Sequence, residues 1–383
     1  MAGFTAGLIS NYGLVRNFAT TAEKSVGVMP VATSNDWLAR LSYAPAGVWG
    51  STGRPVKPSD GITGSLAKEW WSVWNYLQYN VGGVVVGGTG DNSWQTIGVT
   101  YTPLHASTEN ISVFFAGGTT FSAAAAADIA TKRGDCFAVV GNALQGITQP
   151  VSASGFTHFP STFGLDGFTG LTGTNVIYVG GRKNMFLDYD GSGRTEVDKI
   201  DTASDVAANI AKTNLNANAW SVPSGFRRGG INGVISLEQN FTNSESTLLQ
   251  DSGVNPVVSF TGKGSFFMGN STGAAAAGST SSRGMLNVAS VLNYVRAEVK
   301  GLANEYLFEP NTESNRSQFV TRANSILDGV KSSGSISNYS VICPPADNTG
   351  ITFTAEIRLT PTNVAETITL RVINSTTSEI FNL

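Results

Sequence analysis

The stretch LNVASVLNYVRAEVKGL (286–302) decides the fold. Val288, Val291, Leu292, Val295, Val299 and Leu302 recur at helical spacing and make one apolar face. Arg296, Glu298 and Lys300 lie on its flanks or far side. YLFEPNTESN (306–315) follows; its Pro and Asn residues break the helix and offer caps for the next one. Residues 316–331 repeat the helical pattern through Phe319, Val320, Ala323, Ile326, Leu327 and Val330, and Gly334 is placed to end that helix or its turn. YSVICPP (339–345) reads as a strand stopped by two prolines. In ITFTAEIRLTP (351–361), Phe353, Ala355, Ile357 and Leu359 face one way, and Thr354, Glu356 and Arg358 the other. ETITLRVIN (366–374) alternates again, and STTSEIFNL (375–383) is a polar tail with two apolar hooks, Ile380 and Phe381. The order is helix, turn, helix, strand, strand, tail.

Upstream, SLAKEWWSVWNYLQY (65–79) reads as a helix crowded with Trp70, Trp71, Trp74, Tyr76 and Leu77. Core packing is its plain reading; a carbohydrate-binding platform would need exposed rings. VGGVVVGG, ISVFFAGG, CFAVV, NVIYV and MFLDYD (185–190) read as strands, DIATKR and TASDVAANIAKTN (202–214) as helices, and ISLEQNFTNSESTLLQ (235–250) as a strand that ends as a helix. SVGVMPVAT (25–33) could be a further strand, and 143–174 is a loop rich in Gly, Ser, Thr and Phe. The strand–helix–strand order predicts an α/β layer. A chain of 383 residues has room for two domains, or for one with insertions.

The formal charge is −3, from 24 basic and 27 acidic residues, which argues against a nucleic-acid partner. Charged residues make up 13%, against ~25% in ordinary soluble domains. Two readings fit: a loop-rich and strand-rich globular protein, or a subunit that buries much of its surface against copies of itself. Cys136 and Cys343 sit in separate apolar strands and read as buried free thiols. Met1 to Ser10 lacks the pattern of a signal peptide, and no run of ~18 apolar residues predicts a membrane span.

Chemistry is sparse. DYDGSGRTEVDK (188–199) sets Asp188, Asp190, Ser192, Gly193 and Glu196 at calcium-loop spacing, but Lys199 stands where a bidentate Glu belongs. Its flanks read as strands, so a hairpin turn explains the same residues. The glycine clusters lack the Lys-Ser/Thr of a phosphate loop. His105 and His158 belong to no metal-ligand grouping, and no Gly-x-Ser-x-Gly elbow is present. The residues predict no metal, no cofactor and no enzyme. A surface-binding structural protein and a polysaccharide-active enzyme remain as rivals; the second would need paired carboxylates in a cleft beside the tryptophans.

The C-terminal stretch resembles the C-terminal domain of contractile tail sheath proteins, most closely those of T-even-like bacteriophages, in a compact form. The resemblance rests on the LNVASVLNYV helix start, the YLFEPNT turn, the second helix, YSVICPPADNT and the strand pair split by a proline turn, in that order. AWSVPSGFRRGGINGV (219–234), LLQDSGVNPVVSFTGKGSFFMGNSTG (248–273), DIATKRGDCFAVVGN (128–142) and EWWSVWNYLQYNVGGVVVGGTG (69–90) extend it upstream. It implies a mixed α+β and α/β fold of β-sheets flanked by helices, with extended terminal arms. The expected divisions are a possible N-terminal arm over 1–30, an α/β region over 31–215 without large outer insertions, a C-terminal sheath domain over 216–372, and an arm over 373–383.

The resemblance implies a structural subunit that stacks as hexameric rings in a helical tube around a tail tube protein, with baseplate and tail terminator proteins as further partners. Such a tube contracts to drive the inner tube through a cell envelope, as part of a virion tail assembled in the bacterial host cytoplasm, or as part of a related injection device. Ile373, Ile380, Phe381 and Leu383 are the expected inter-subunit arm residues. Arg296, Lys300, Arg316, Arg322 and Lys331 are the candidates to face the tube.

Overall fold

The computed structural model describes residues 25–29, 71, 75–76, 78–79, 84–87, 113–116, 130, 134, 136–141, 175–187, 197–218, 220–251, 253–276, 284–344 and 351–362. In chain order the strands are β1 (Ser25–Met29), β2 (Val84–Gly87), β3 (Val113–Ala116), β4 (Phe137–Val140), β5 (Val176–Gly180), β6 (Arg182–Phe186), β7 (Val197–Asp201), β8 (Ser236–Leu237), β9 (Val254–Phe260), β10 (Gly264–Phe267), β11 (Ile336–Ile342) and β12 (Glu356–Pro361). The helices are α1 (Ala203–Asn216), α2 (Gly225–Arg228), α3 (Asn243–Asp251), α4 (Gly273–Ala276), α5 (Leu286–Asn304) and α6 (Glu313–Ser332).

The central sheet has the order β10-β9-β5-β4-β3. β3, β4, β5 and β9 run parallel, and β10 closes the edge as an antiparallel hairpin partner of β9. Every residue of β4 and β5 is buried. Their unbroken apolar runs are what a parallel strand covered on both faces requires. Phe137, Val139, Ile177 and Val179 join Val206, Ala207, Ile210 and Ala211 of α1 in one core, with Trp71, Tyr76 and Tyr79. The alanines of α1 let its backbone lie close to β3 and β4. Trp71 and Tyr76 are therefore core residues, and Trp70, Trp74 and Leu77 lie outside the described residues.

The expected division at 215/216 falls within this unit. β9 pairs with β5, so strands from both sides of the division share one sheet, and Val257, Phe267 and Leu286 enter the same core as Val113 and Ile177. β1, inside the expected 1–30 arm, pairs in parallel with this chain's own β2.

A second sheet has the order β7-β6-β8. β6 begins at Arg182 and ends at Phe186, earlier than the apolar MFLDYD run suggests, because β7 pairs back along it from Phe186↔Val197 to Arg182↔Asp201. Backbone pairing recruits the polar Arg-Lys-Asn that hydrophobic patterning leaves out.

The C-terminal helices α5 and α6 appear where their periodicity places them. Val291, Val295, Leu327, Val330 and Ile336 form a buried cluster, against which Ile357 and Leu359 pack. β12 exposes Glu356, Arg358 and Thr360 and half-buries Ile357 and Leu359, as alternation requires. Several details differ from expectation. α6 is capped by Thr312, whose side chain accepts from the Asn315 amide, and not by an Asn. β11 starts at Ile336, because Ile336 pairs with Pro361. β12 starts only at Glu356: the Thr352 carbonyl upstream is taken by the Asn311 side chain at 2.7 Å, and Ala355 is exposed. Gly334 has φ +80, where glycine is favoured, and its N–H closes the helix end onto the Lys331 carbonyl at 2.9 Å. The strand expected over 366–374 and the arm residues Ile373, Ile380, Phe381 and Leu383 lie outside the described residues.

Candidate functional site

The helix pair and its small sheet form one unit with two ends. At one end, Glu305–Phe308 turn the chain from α5 towards α6. Phe308 sits there with φ 68 and its side chain fully exposed. A non-glycine residue in the left-handed region costs ~1–2 kcal/mol in ordinary backbone energetics. Leu307, Ile342 and Ile351 are further exposed apolar residues of this unit, while Tyr306, Phe319 and Phe353 stack edge to face beneath the turn. At the other end a cleft of about 570 Å³ is lined by Trp220, Arg228, Asn287, Val291, Gly334 and Thr362 among others. Thr362 is the last described residue before the expected C-terminal arm, and its carbonyl accepts from Asn287 Nδ2 at 3.2 Å.

The five candidate tube-facing cations do not form one basic face. At roughly 100° per residue, Arg316 and Arg322 lie about 120° apart around α6, with Arg316 in line with the N-terminal end of the buried stripe and Arg322 off to one side of it. Arg296 donates to the Gly134 carbonyl at 2.9 Å, tying α5 to the sheet unit. Arg316 donates to the Asn311 carbonyl and side chain at 3.1 and 2.8 Å, holding the turn before α6. Arg322 pairs with Glu305, and its hydrogen bond holds the Glu305 carboxyl below its ordinary pKa. Lys331 lies 5.8 Å from the centre of the Tyr339 ring, and Lys300 is half-buried. Arg322 and Lys331 are exposed and can exchange these partners for others; Arg296 and Arg316 also do work within the subunit.

Asp188, Asp190, Ser192, Gly193 and Glu196 lie outside the described residues. Their flanks are the antiparallel strands β6 and β7, as the hairpin reading expects, and not a pair of helices. Among the described residues no His, Cys, Asp and Glu grouping could hold a metal ion. Cys136 and Cys343 are not joined in a disulfide; the first is buried and the second half-buried.

Sequence reasoning missed a buried polar cluster under α1. Lys183 on β6 is fully buried and donates to Asp205 Oδ1 at 2.8 Å, Asn75 Oδ1 at 2.8 Å and the Asn232 carbonyl at 2.6 Å. Tyr79 donates to Asp205 Oδ1 at 2.6 Å and accepts from the Asn232 amide at 2.9 Å. Asn75 Nδ2 donates to Ser204 Oγ at 3.0 Å. Burial lowers the Lys183 pKa against the opposing pull of Asp205, and burial, with Asp205 adding to it, holds the Tyr79 phenol well above its ordinary value. The one sequence signal was Lys183 alternating with Met185 on the inner face of a strand.

No family model matches the chain. In sequence it is 29% identical over 228 residues to the tail sheath protein of Vibrio phage KVP40, covering 56% of this chain and 34% of that protein. It is 26% identical over 238 residues to the tail sheath protein of Enterobacteria phage T4, covering 58% of this chain and 36% of that protein. The chain thus spans about a third of the length of the curated relatives it matches. Among solved structures, a contracted PVC sheath complex of an extracellular contractile injection system matches with a TM-score of 0.64 and 14% identity, over 94% of both chains. The contracted helical sheath of the anti-feeding prophage matches with a TM-score of 0.63 and 14% identity, over 98% of this chain and 97% of that one. A chain of the anti-feeding prophage baseplate matches with a TM-score of 0.64 and 14% identity, over 93% of this chain and 95% of that one. The chain is thus similar in sequence to two phage tail sheath proteins and shares its fold with contractile sheath subunits.

Proposed function

We propose that this chain, sheath-like in sequence and in fold, is a structural subunit of a contractile sheath that polymerises helically around an inner tube and shortens to drive that tube through a cell envelope. One observation carries the reading. A fold shared with contracted sheath subunits over nearly the whole chain coincides with sequence similarity to two phage tail sheath proteins. Its partners are copies of itself in stacked hexameric rings, a tail tube protein, and baseplate and terminator proteins at the ends. Contraction moves rigid subunits between two packings, so its work comes from their free-energy difference and no nucleotide is used. The subunit acts as a scaffold, not an enzyme, in a virion tail assembled in the host cytoplasm.

A phage-tail-like injection device is the second reading. It is favoured by the fold, which is shared with two injection-system sheaths over 94% and 98% of this chain. Both readings predict the same particle. Co-expressed with its tube protein and viewed by electron microscopy, the chain is expected to form helical tubes. Persistent monodisperse monomers in the presence of the tube protein would count against a sheath role.

Tube contact is assigned to the exposed cations Arg322 and Lys331, with Arg296, Lys300 and Arg316 as the wider candidate set. Exposed pairs are weak and salt-screened, which suits contacts that contraction must break. Charge reversal at Arg322 and Lys331 is expected to loosen sheath from tube while the subunit stays folded by circular dichroism. Unchanged co-assembly with the tube would remove this surface from the proposal.

A further inference from the structure

We propose that Lys183 and Asn75 close an intramolecular isopeptide bond, Nζ to Cγ, with Asp205 carrying the proton. The inference is independent of the sheath reading and rests on the buried cluster alone. Three chemically matched groups meet there. Lys183 and Asp205 are fully buried and Asn75 nearly so. Lys183 Nζ stands 2.8 Å from Asn75 Oδ1 and 2.8 Å from Asp205 Oδ1, so the amide carbon lies one C=O bond beyond a contact already made. Among the described residues Asp205 Oδ2 is buried without a hydrogen-bond partner, so this oxygen is not committed to another group and is open to take a proton during the reaction.

Burial disfavours the ammonium form of Lys183 and lowers its pKa, although the Asp205 charge opposes this. Transfer of one proton from Lys183 to Asp205 gives a neutral amine beside a neutral acid. The amine lone pair then forms the N–C bond at Asn75 Cγ, and the Cγ–Nδ2 bond breaks. Nδ2 is already held by Ser204 Oγ at 3.0 Å. It leaves with the proton that the amine gives up as the new amide forms, so one lysine and one asparagine become one secondary amide and one ammonia. If ammonia departs as ammonium it takes the proton back from Asp205, which is regenerated. No oxidant or metal is needed. Tyr79 fixes Asp205 through a 2.6 Å hydrogen bond, and the site excludes the water that would compete as nucleophile. The bond would join residues 108 apart in sequence, stapling the helical segment at 75–76 to β6 under α1.

Intact mass spectrometry of the purified full chain, followed by peptide mapping, tests this. The expected result is a mass below that of the unlinked chain by one ammonia, and one branched peptide joining the Asn75 segment to the Lys183 segment. Lys183→Arg and Asn75→Ala should both abolish the branch. The wild-type measurement decides even if a variant fails to fold. An unmodified mass would reduce the cluster to a buried ion pair. Loss of one water with a branch at Asp205 would overturn the assignment to Asn75, as would loss of ammonia without any branched peptide.

Discussion

Tyr76, Tyr79 and Tyr178 are buried, and burial raises the pKa of each phenol; Asp205 raises that of Tyr79 further. In the unfolded chain these phenols ionise near pH ~10. Above that pH the folded chain keeps protons that the unfolded chain has lost, so stability falls as pH rises. Lys183 as a free amine acts oppositely: its lowered pKa makes stability rise with pH in the window below its ordinary value of 10.5. Three phenols outweigh one amine once pH passes 10. Alkaline titration should therefore show a cooperative burst of tyrosinate absorbance coincident with loss of far-ultraviolet circular dichroism. Smooth ionisation of every tyrosine with the fold intact would contradict these burials.

The helix pair shows how an element divides its labour. Leu327 is fully buried against Val291, Val295 and Ile336, and Leu327→Ala should cost ~2–5 kcal/mol, read from denaturant midpoints. A smaller loss would mean that the pair collapses around the cavity. Arg322 on the same helix and Glu305 at the C-cap of α5 are both exposed, so separating them should leave subunit stability nearly unchanged while altering what binds there. Phe308 stands at the turn between these regimes. It spends backbone energy to project an aromatic ring, and the subunit itself recovers none of it.

For the whole molecule, rigidity and connection are separate problems. One sheet draws strands from 113–116 through 264–267 into a common core, which suits a body that moves without deforming. We propose that residues 373–383 pair with a neighbour's sheet by strand addition, anchored by Ile373, Ile380, Phe381 and Leu383. Deleting 375–383 should leave folded monomers that form no tubes with the tube protein. Normal tubes from the truncated chain would assign polymerisation to other surfaces.

The sequence by itself determined the elements whose burial is local. Val288, Val291 and Val295 share a face because a helix brings every third or fourth residue round, and β12 alternates because a strand must. The same logic located α1 and α6 and the buried runs of β4 and β5. Only the tertiary structure decided which strands neighbour one another. β9 joins β5 across the expected 215/216 division because backbone hydrogen bonds carry no residue signature. It also decided the fate of the charges. Arg296 looks like a free cation in the chain, yet it meets the Gly134 carbonyl, 162 residues away, which only folding brings near. Lys183 reads as a surface residue until Asn75, Asp205 and Asn232 converge on it. A buried charge is affordable only with such partners, and they come from three distant stretches of the chain.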